Sequence, residues 1–135
     1  MALPNGAGGY QVGDGNLNEL TIGYGAAPQT ATTTATLTAA QITGGILVAS
    51  PGTSAATYTL PAGTAIDAVV TSAKVGSTFD LAVVNTGTSS GTVTLAVSTG
   101  VTDGGNAVVA LPITSSGIFR FRKTGDGTWV AYRLG

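Results

Sequence analysis

Residues 118–134 alternate twice around a glycine-rich reversal. Ile118-Phe-Arg-Phe-Arg-Lys123 sets apolar and basic side chains in turn, Thr124-Gly-Asp-Gly127 tolerates a tight turn, and Thr128-Trp-Val-Ala-Tyr-Arg-Leu134 alternates back. Successive side chains of a strand point to opposite faces, so a two-residue period commits this stretch to a half-buried β-hairpin. The period also assigns faces: Phe119 and Phe121 inward, Arg120 and Arg122 outward.

Similar patterns recur upstream. Phe79, Leu81 and Val83 alternate with Asp80, Ala82 and Val84, and Val93, Leu95 and Val97 alternate with Thr92, Thr94 and Ala96. With Asn85-Thr-Gly-Thr-Ser-Ser-Gly91 between them, the pair predicts a second antiparallel hairpin. Ile46-Leu-Val-Ala49 reads as a buried strand closed by Ser50-Pro-Gly52, and Thr57-Tyr-Thr-Leu60 as a strand ended by Pro61. Asp103-Gly-Gly-Asn106 predicts a turn, and Ala107–Leu111 a strand halted by Pro112. Roughly seven short strands at this spacing predict an all-β fold, a β-sandwich or jelly-roll-like barrel.

Helical signals are few. Thr38-Ala-Ala-Gln41 fits a capping box for one turn over 39–43, stopped by Gly44 and Gly45. The main helix is expected over about 64–74. Thr64 can cap it, Asp67 favours the start of the dipole, and Ile66, Val69, Val70 and Ala73 recur at helical spacing. Lys74 and Gly76 suit its end.

Residues 1–35 stand apart from 36–135. The first 25 hold seven glycines, and Gln29 to Thr34 is a polar run. Such a segment buries too little apolar surface to offset its own ordering entropy. Yet Tyr10, Val12, Leu17, Leu20, Ile22 and Tyr24 are large apolar residues that a plain spacer does not need. They predict an extended arm that orders against another surface. The β-domain is expected to occupy 36–135.

Composition excludes much chemistry. There is no His and no Cys, so a Cys/His zinc site, thiol catalysis and an imidazole-based Ser triad are ruled out. Charged residues make up 8%, against a usual ~25%. With 21 Gly and 23 Thr, hydroxyls replace charge on exposed faces. The net charge of −1 argues against non-specific nucleic-acid binding. No apolar run reaches the ~18 residues of a membrane span. The opening MALPNGAGGY lacks the basic and apolar regions of a secretion signal, predicting a chain not addressed to that route.

Six carboxylates are spread through the chain: Asp14, Glu19, Asp67, Asp80, Asp103 and Asp126. Asp67 reads as a helix-end residue, Asp103 and Asp126 as turn residues bonding their own backbone, and Asp80 as an outer-face strand residue. No pair is placed for glycoside hydrolysis. Asp14-Gly-Asn-Leu-Asn18 opens like a calcium loop, but Glu19 and Gly25 stand where Gly and Glu are needed. Gly13-x-Gly15 lacks the third glycine of a dinucleotide fingerprint, Asn18 holding its place. No catalytic residue, metal or cofactor is expected. Arg120, Arg122, Lys123 and Arg133 gather four of five cations in the last hairpin beside Phe119, Phe121, Trp129 and Tyr132. The first reading is an aromatic core face backed by outward arginines. The second makes Arg120, Arg122 and Arg133 a contact for an acidic partner or neighbouring subunit, and the third is a stacking platform for nucleic acid.

Four stretches carry a family resemblance: Leu37-Thr-Ala-Ala-Gln-Ile-Thr-Gly-Gly-Ile-Leu-Val-Ala-Ser-Pro-Gly52, Tyr58-Thr-Leu-Pro-Ala-Gly63 with Thr64–Val70, Gly76-Ser-Thr-Phe-Asp-Leu-Ala-Val-Val-Asn85, and Gly127-Thr-Trp-Val-Ala-Tyr132. In style and order of elements, residues 36–135 resemble the small decoration, or cement, proteins and head-fibre modules of tailed bacteriophages. The resemblance implies a compact β-sandwich or jelly-roll, trimers on the outer capsid surface, and an arm or edge bridging major capsid subunits. It implies no catalytic residues, and it places the chain on the virion after synthesis in the host cytoplasm. The alternative is a fibre module recognising host-surface glycans through Tyr10, Tyr24, Tyr58 or Trp129.

Overall fold

A computed structural model describes residues 22–135. These residues form a mainly β structure with strands β1 Gln29–Ala31, β2 Ala35–Thr36, β3 Ile46–Ala49, β4 Ala56–Thr59, β5 Thr78–Asn85, β6 Val93–Ala96, β7 Val101–Gly105, β8 Ser116–Gly125 and β9 Thr128–Arg133. Two short helices, α1 Ala39–Thr43 and α2 Gly63–Val69, lie in the connections.

The first six strands go alternately to two sheets. β1, β3 and β5 lie side by side in one, β2, β4 and β6 in the other, and every one of these pairings is parallel. The chain therefore winds three times around one interior, laying one strand in each sheet per turn. The larger sheet continues through antiparallel β8 and β9 to a parallel β7, in the order β1-β3-β5-β8-β9-β7.

The terminal hairpin forms as expected, with Phe121 opposite Ala131 and Arg122 opposite Val130. The hairpin expected from Phe79–Val84 and Val93–Val97 does not form. The first segment is β5 of the larger sheet and the second is β6 of the smaller one, paired with β4. Alternation records which side chains face the core; it does not record which strand lies alongside. Asn85 decides the outcome. Its buried amide donates to the carbonyls of Gly91, Leu111 and Pro112 and its Oδ1 accepts from Gly87 N–H, which ties the connection across the core.

The inner faces of both sheets share one apolar core. The larger sheet contributes Leu47, Leu81, Val83, Phe119, Phe121 and Trp129, and the smaller sheet Tyr58, Val93 and Leu95. Leu37, Ile42, Leu60 and Ile66 enter from the connections. Each such side chain contributes about 1.5–3 kcal/mol on burial.

Further expectations change. α2 ends at Val69, short of residue 74, and Ala62 rather than Thr64 occupies its N-cap without a side-chain bond. The β-branched Val69-Val70 pair is poorly suited to helix, and Val70 leaves helical geometry at ψ 62. Ala107–Leu111 is a loop from which only Leu111 bridges to Val93, and of the Asp103–Asn106 stretch expected to turn, Asp103–Gly105 belong to β7, with a bulge after Asp103. The folded unit begins before residue 36, because β1 and β2 are edge strands held by main-chain bonds that need no apolar pattern. The capping box of α1 is present, Gln41 N–H donating to Thr38 Oγ1 and Thr38 N–H to Gln41 Oε1.

Gly63, Gly100 and Gly127 bring α2, the β6–β7 connection and the β8–β9 turn into backbone contact. A Cβ on Gly63 or Gly100 would overlap the Gly127 carbonyl, and Gly100 and Gly127 have φ of +80° and +62°. A Gly100→Ala protein should lose about 2 kcal/mol or more of stability, read as a lower urea midpoint at unchanged m. An unchanged midpoint would contradict this packing.

Candidate interaction surface

The outward phase of the larger sheet is where the sequence and a solvent-facing surface disagree. Register places Ile46 beside Ala82, Ala82 beside Ile118, and Ile118 beside Leu134 through the Leu134 N–H to Ile118 carbonyl bond. The neighbouring row runs Val48, Val84, Ser116. Ile46, Ile118 and Leu134 remain 41%, 48% and 53% exposed, and Val84 36%. These rows form a contiguous apolar half-face across the central strands. Contiguous apolar surface of this kind marks contact with another macromolecule more often than isolated exposed residues do.

The other half of that face is polar. Asp80 on β5 accepts from Arg120 on β8 at 2.7 Å (Nε) and 3.0 Å (Nη2), a two-point pair in which both side chains are nearly half exposed. The bond and charge of Arg120 hold the Asp80 carboxyl below its usual range. Arg122 is exposed next along, opposite Thr78. The three arginines expected to act together are separated. Arg133 sits in the inward phase opposite Phe119 and donates to the carbonyls of Gly135 and Val109, so it secures the chain end and the 106–110 loop.

Behind this face, Asp67 organises the hairpin. It projects from α2 and accepts from Lys123 Nζ at 2.8 Å, Gly127 N–H at 2.6 Å and Trp129 Nε1 at 2.9 Å. Its role is therefore a tie to the terminal hairpin and not helix capping. The Lys123 hydrogen bond, then the Gly127 amide and the Trp129 indole, hold its carboxyl below the ordinary 3.8 against an opposing effect of burial. Lys123 follows the inward phase of β8, with its side chain 9% exposed and its amine 5.9 Å from the Trp129 ring centre. Phe79 stacks on Phe121 at 4.9 Å and meets Trp129 edge-on at 5.4 Å. Asp103 accepts from Gly105 and Ala107 N–H, bonding its own backbone as expected. Asp67, Asp80 and Asp103 are thus each engaged in holding the fold.

Of the six arm residues, Ile22 and Tyr24 lie among the described residues, 67% and fully exposed. Tyr10, Val12, Leu17 and Leu20 lie outside the described residues. Two aromatics considered for glycan stacking, Tyr58 and Trp129, are core residues with no face open to a ligand. Tyr58 instead donates its hydroxyl to the Thr32 carbonyl at 2.9 Å. The outer apolar rows went unread in the sequence, although Ile118, Ala82 and Val84 all carry the phase opposite to the aromatic residues. Asp67 was also detectable: a lysine in the inward phase of a strand needs a carboxylate partner. Compared with known protein families, curated proteins and solved structures, the chain matches none.

A lowered carboxyl value means that the folded state binds its proton less tightly than the unfolded state. The stabilisation from Asp67 and Asp80 is complete above the ordinary carboxylate range and lost as pH falls through and below it. The thermal midpoint should fall from about pH 5 downward. Asp67→Asn should lower the midpoint at neutral pH and flatten part of that acid dependence; an unaltered acid limb would show that Asp67 does not hold the hairpin.

Proposed function

We propose that this chain is a structural, non-enzymatic protein of a tailed-bacteriophage virion, bound to the outer capsid surface. It cements neighbouring major capsid subunits and acts as a homotrimer. The observation that carries this reading is the apolar half-face built by Ile46, Val48, Ala82, Val84, Ile118 and Leu134. An interface needs an apolar centre and a polar rim, and the Asp80–Arg120 pair with Arg122 provides such a rim on the same sheet. Many modest contacts repeated over a shell gain strength by avidity.

The arm adds a second contact. Tyr10, Val12, Leu17, Leu20, Ile22 and Tyr24 supply apolar side chains that would cover adjacent subunits on binding. The fold is read as a two-sheet sandwich. Its all-parallel smaller sheet separates it from a jelly-roll, whose strands run antiparallel.

The test is co-sedimentation with empty phage heads that lack the protein. Ile118→Glu should abolish co-sedimentation while changing stability by under about 1 kcal/mol, because the residue is half exposed. Removing residues 1–24 should weaken binding and leave the domain folded. Full binding by the Ile118→Glu protein would overturn the role of this face.

A further inference from the structure

We infer that residues 107–110 are a strap with two positions: the open one described above, and a closed one in which the strap pairs with the free edge of β6 and releases Arg133. The inference goes beyond the proposed function and does not depend on it.

Main-chain direction shows what β6 lacks. Ala56 N–H donates to the Thr92 carbonyl and Leu60 N–H to the Ala96 carbonyl, so Thr92, Thr94 and Ala96 turn their main-chain groups towards β4. Val93 and Leu95 turn theirs to the other side. There Val93 exchanges both bonds with Leu111, at 3.1 and 2.7 Å. The N–H and carbonyl of Leu95 have no partner among the described residues, although Leu95 is only 2% exposed. Buried main-chain groups are nearly always paired, so this edge calls for a further strand residue.

The chain already offers one. Extending the antiparallel Leu111–Val93 bridge sets Val109 opposite Leu95 as the next pair that exchanges two bonds. Ala107, Val109 and Leu111 share one strand phase; Ala107 and Leu111 are each 1% exposed, whereas Val109 is 51% exposed. Asp103 Oδ1 fixes one end by accepting from Ala107 N–H, and the Val93 bridge fixes the other. The segment is therefore seated at both ends and displaced in the middle. Little holds it there. Val109 N–H donates to the Asn106 carbonyl at 3.3 Å, and Arg133 Nη1 donates to the Val109 carbonyl at 3.4 Å. Both distances exceed the ~3.2 Å at the upper end of ordinary N–H···O bonds. Closure exchanges these two bonds for two with Leu95 and buries the Val109 side chain beside it.

The movement changes one edge of the candidate surface. In the open position Asn106, Val109, Arg133, Leu134 and Gly135 line a cavity of about 420 Å3, and Leu134 belongs to the apolar face. Closure withdraws Val109 from that cavity and leaves the Arg133 guanidinium free of the Val109 carbonyl. The edge beside Leu134 thus passes from apolar to cationic.

The chain has no Cys, so an introduced pair reports closure without background. The closed register sets Val108 opposite Ala96 in a pair without mutual hydrogen bonds, whose Cα atoms lie about 4.5 Å apart, close enough for a disulfide. Thr59 lies beside Ala96 on β4, one strand further away. Under oxidised glutathione, A96C/V108C protein should form its internal disulfide about tenfold faster or more than T59C/V108C protein. Adding Arg133→Gln, which removes the donor to Val109, should speed the first reaction about threefold or more and leave the second unchanged. Amide hydrogen exchange at Val109 should slow in the Arg133→Gln protein. The inference is overturned by equal rates for the two cysteine pairs, by no disulfide in A96C/V108C, or by an Arg133→Gln change that speeds neither pair or both alike. Unchanged or faster exchange at Val109 would overturn it as well.

Discussion

The carboxylate of Asp67 joins parts of the chain that the winding alone leaves unconnected. α2 lies between the second and third turns, whereas the β8–β9 hairpin is added after all three turns are complete. Three donors from that hairpin, an ammonium, a backbone amide and an indole, converge on one side chain of the helix. The interaction also answers a cost inside the core. Lys123 is carried inward by strand phase, and an unpaired ammonium there would be heavily penalised by the loss of water. The same carboxylate fixes the ring of Trp129, against which Phe79 and Phe121 pack. The Gly63, Gly100 and Gly127 contacts follow, since helix and turn approach this closely only where no Cβ intervenes.

What was legible in the sequence was local. The terminal hairpin could be read because its turn is short and its partner strands adjoin it. The α1 capping box could be read because both partners lie within four residues. The faces of β5 and β8 were equally plain, and Phe119, Phe121, Arg120 and Arg122 all point as alternation requires. Strand partners were a different matter. Parallel pairing joins segments far apart in the chain, such as Leu47 with Val83, and leaves no signature at either one. The β5–β6 connection shows the ambiguity most clearly. Its Asn and Gly residues suit a hairpin turn, but the same residues serve a crossing between sheets once Asn85 is buried and fully bonded.

The candidate surface was hidden for a related reason. Outward strand positions were expected to carry Thr, and many do. Ile46, Ala82, Val84 and Ile118 carry apolar side chains in the outward phase, but they come from three strands separated by up to 72 residues. Each residue alone is unremarkable, since isolated apolar residues are common on protein surfaces. Only the register of β3, β5 and β8 assembles them into adjacent rows of one face. Arg133 shows the converse: its sequence neighbourhood grouped it with Arg120 and Arg122, and its phase put it on the other side.

The way charge is used bears on how such a surface would find its partner. Asp67 is paired with Lys123, Asp80 with Arg120, and Asp103 with its own backbone. A protein of net charge −1 in which most ionic side chains among the described residues are tied internally projects little long-range field. Encounter is then not steered by electrostatics, and specificity has to come from fit between apolar rows. On the proposed reading, a repeating shell would supply the orientation and local concentration that charge does not. It also lets identical copies approach one another closely without net repulsion, which a strongly charged coat would oppose.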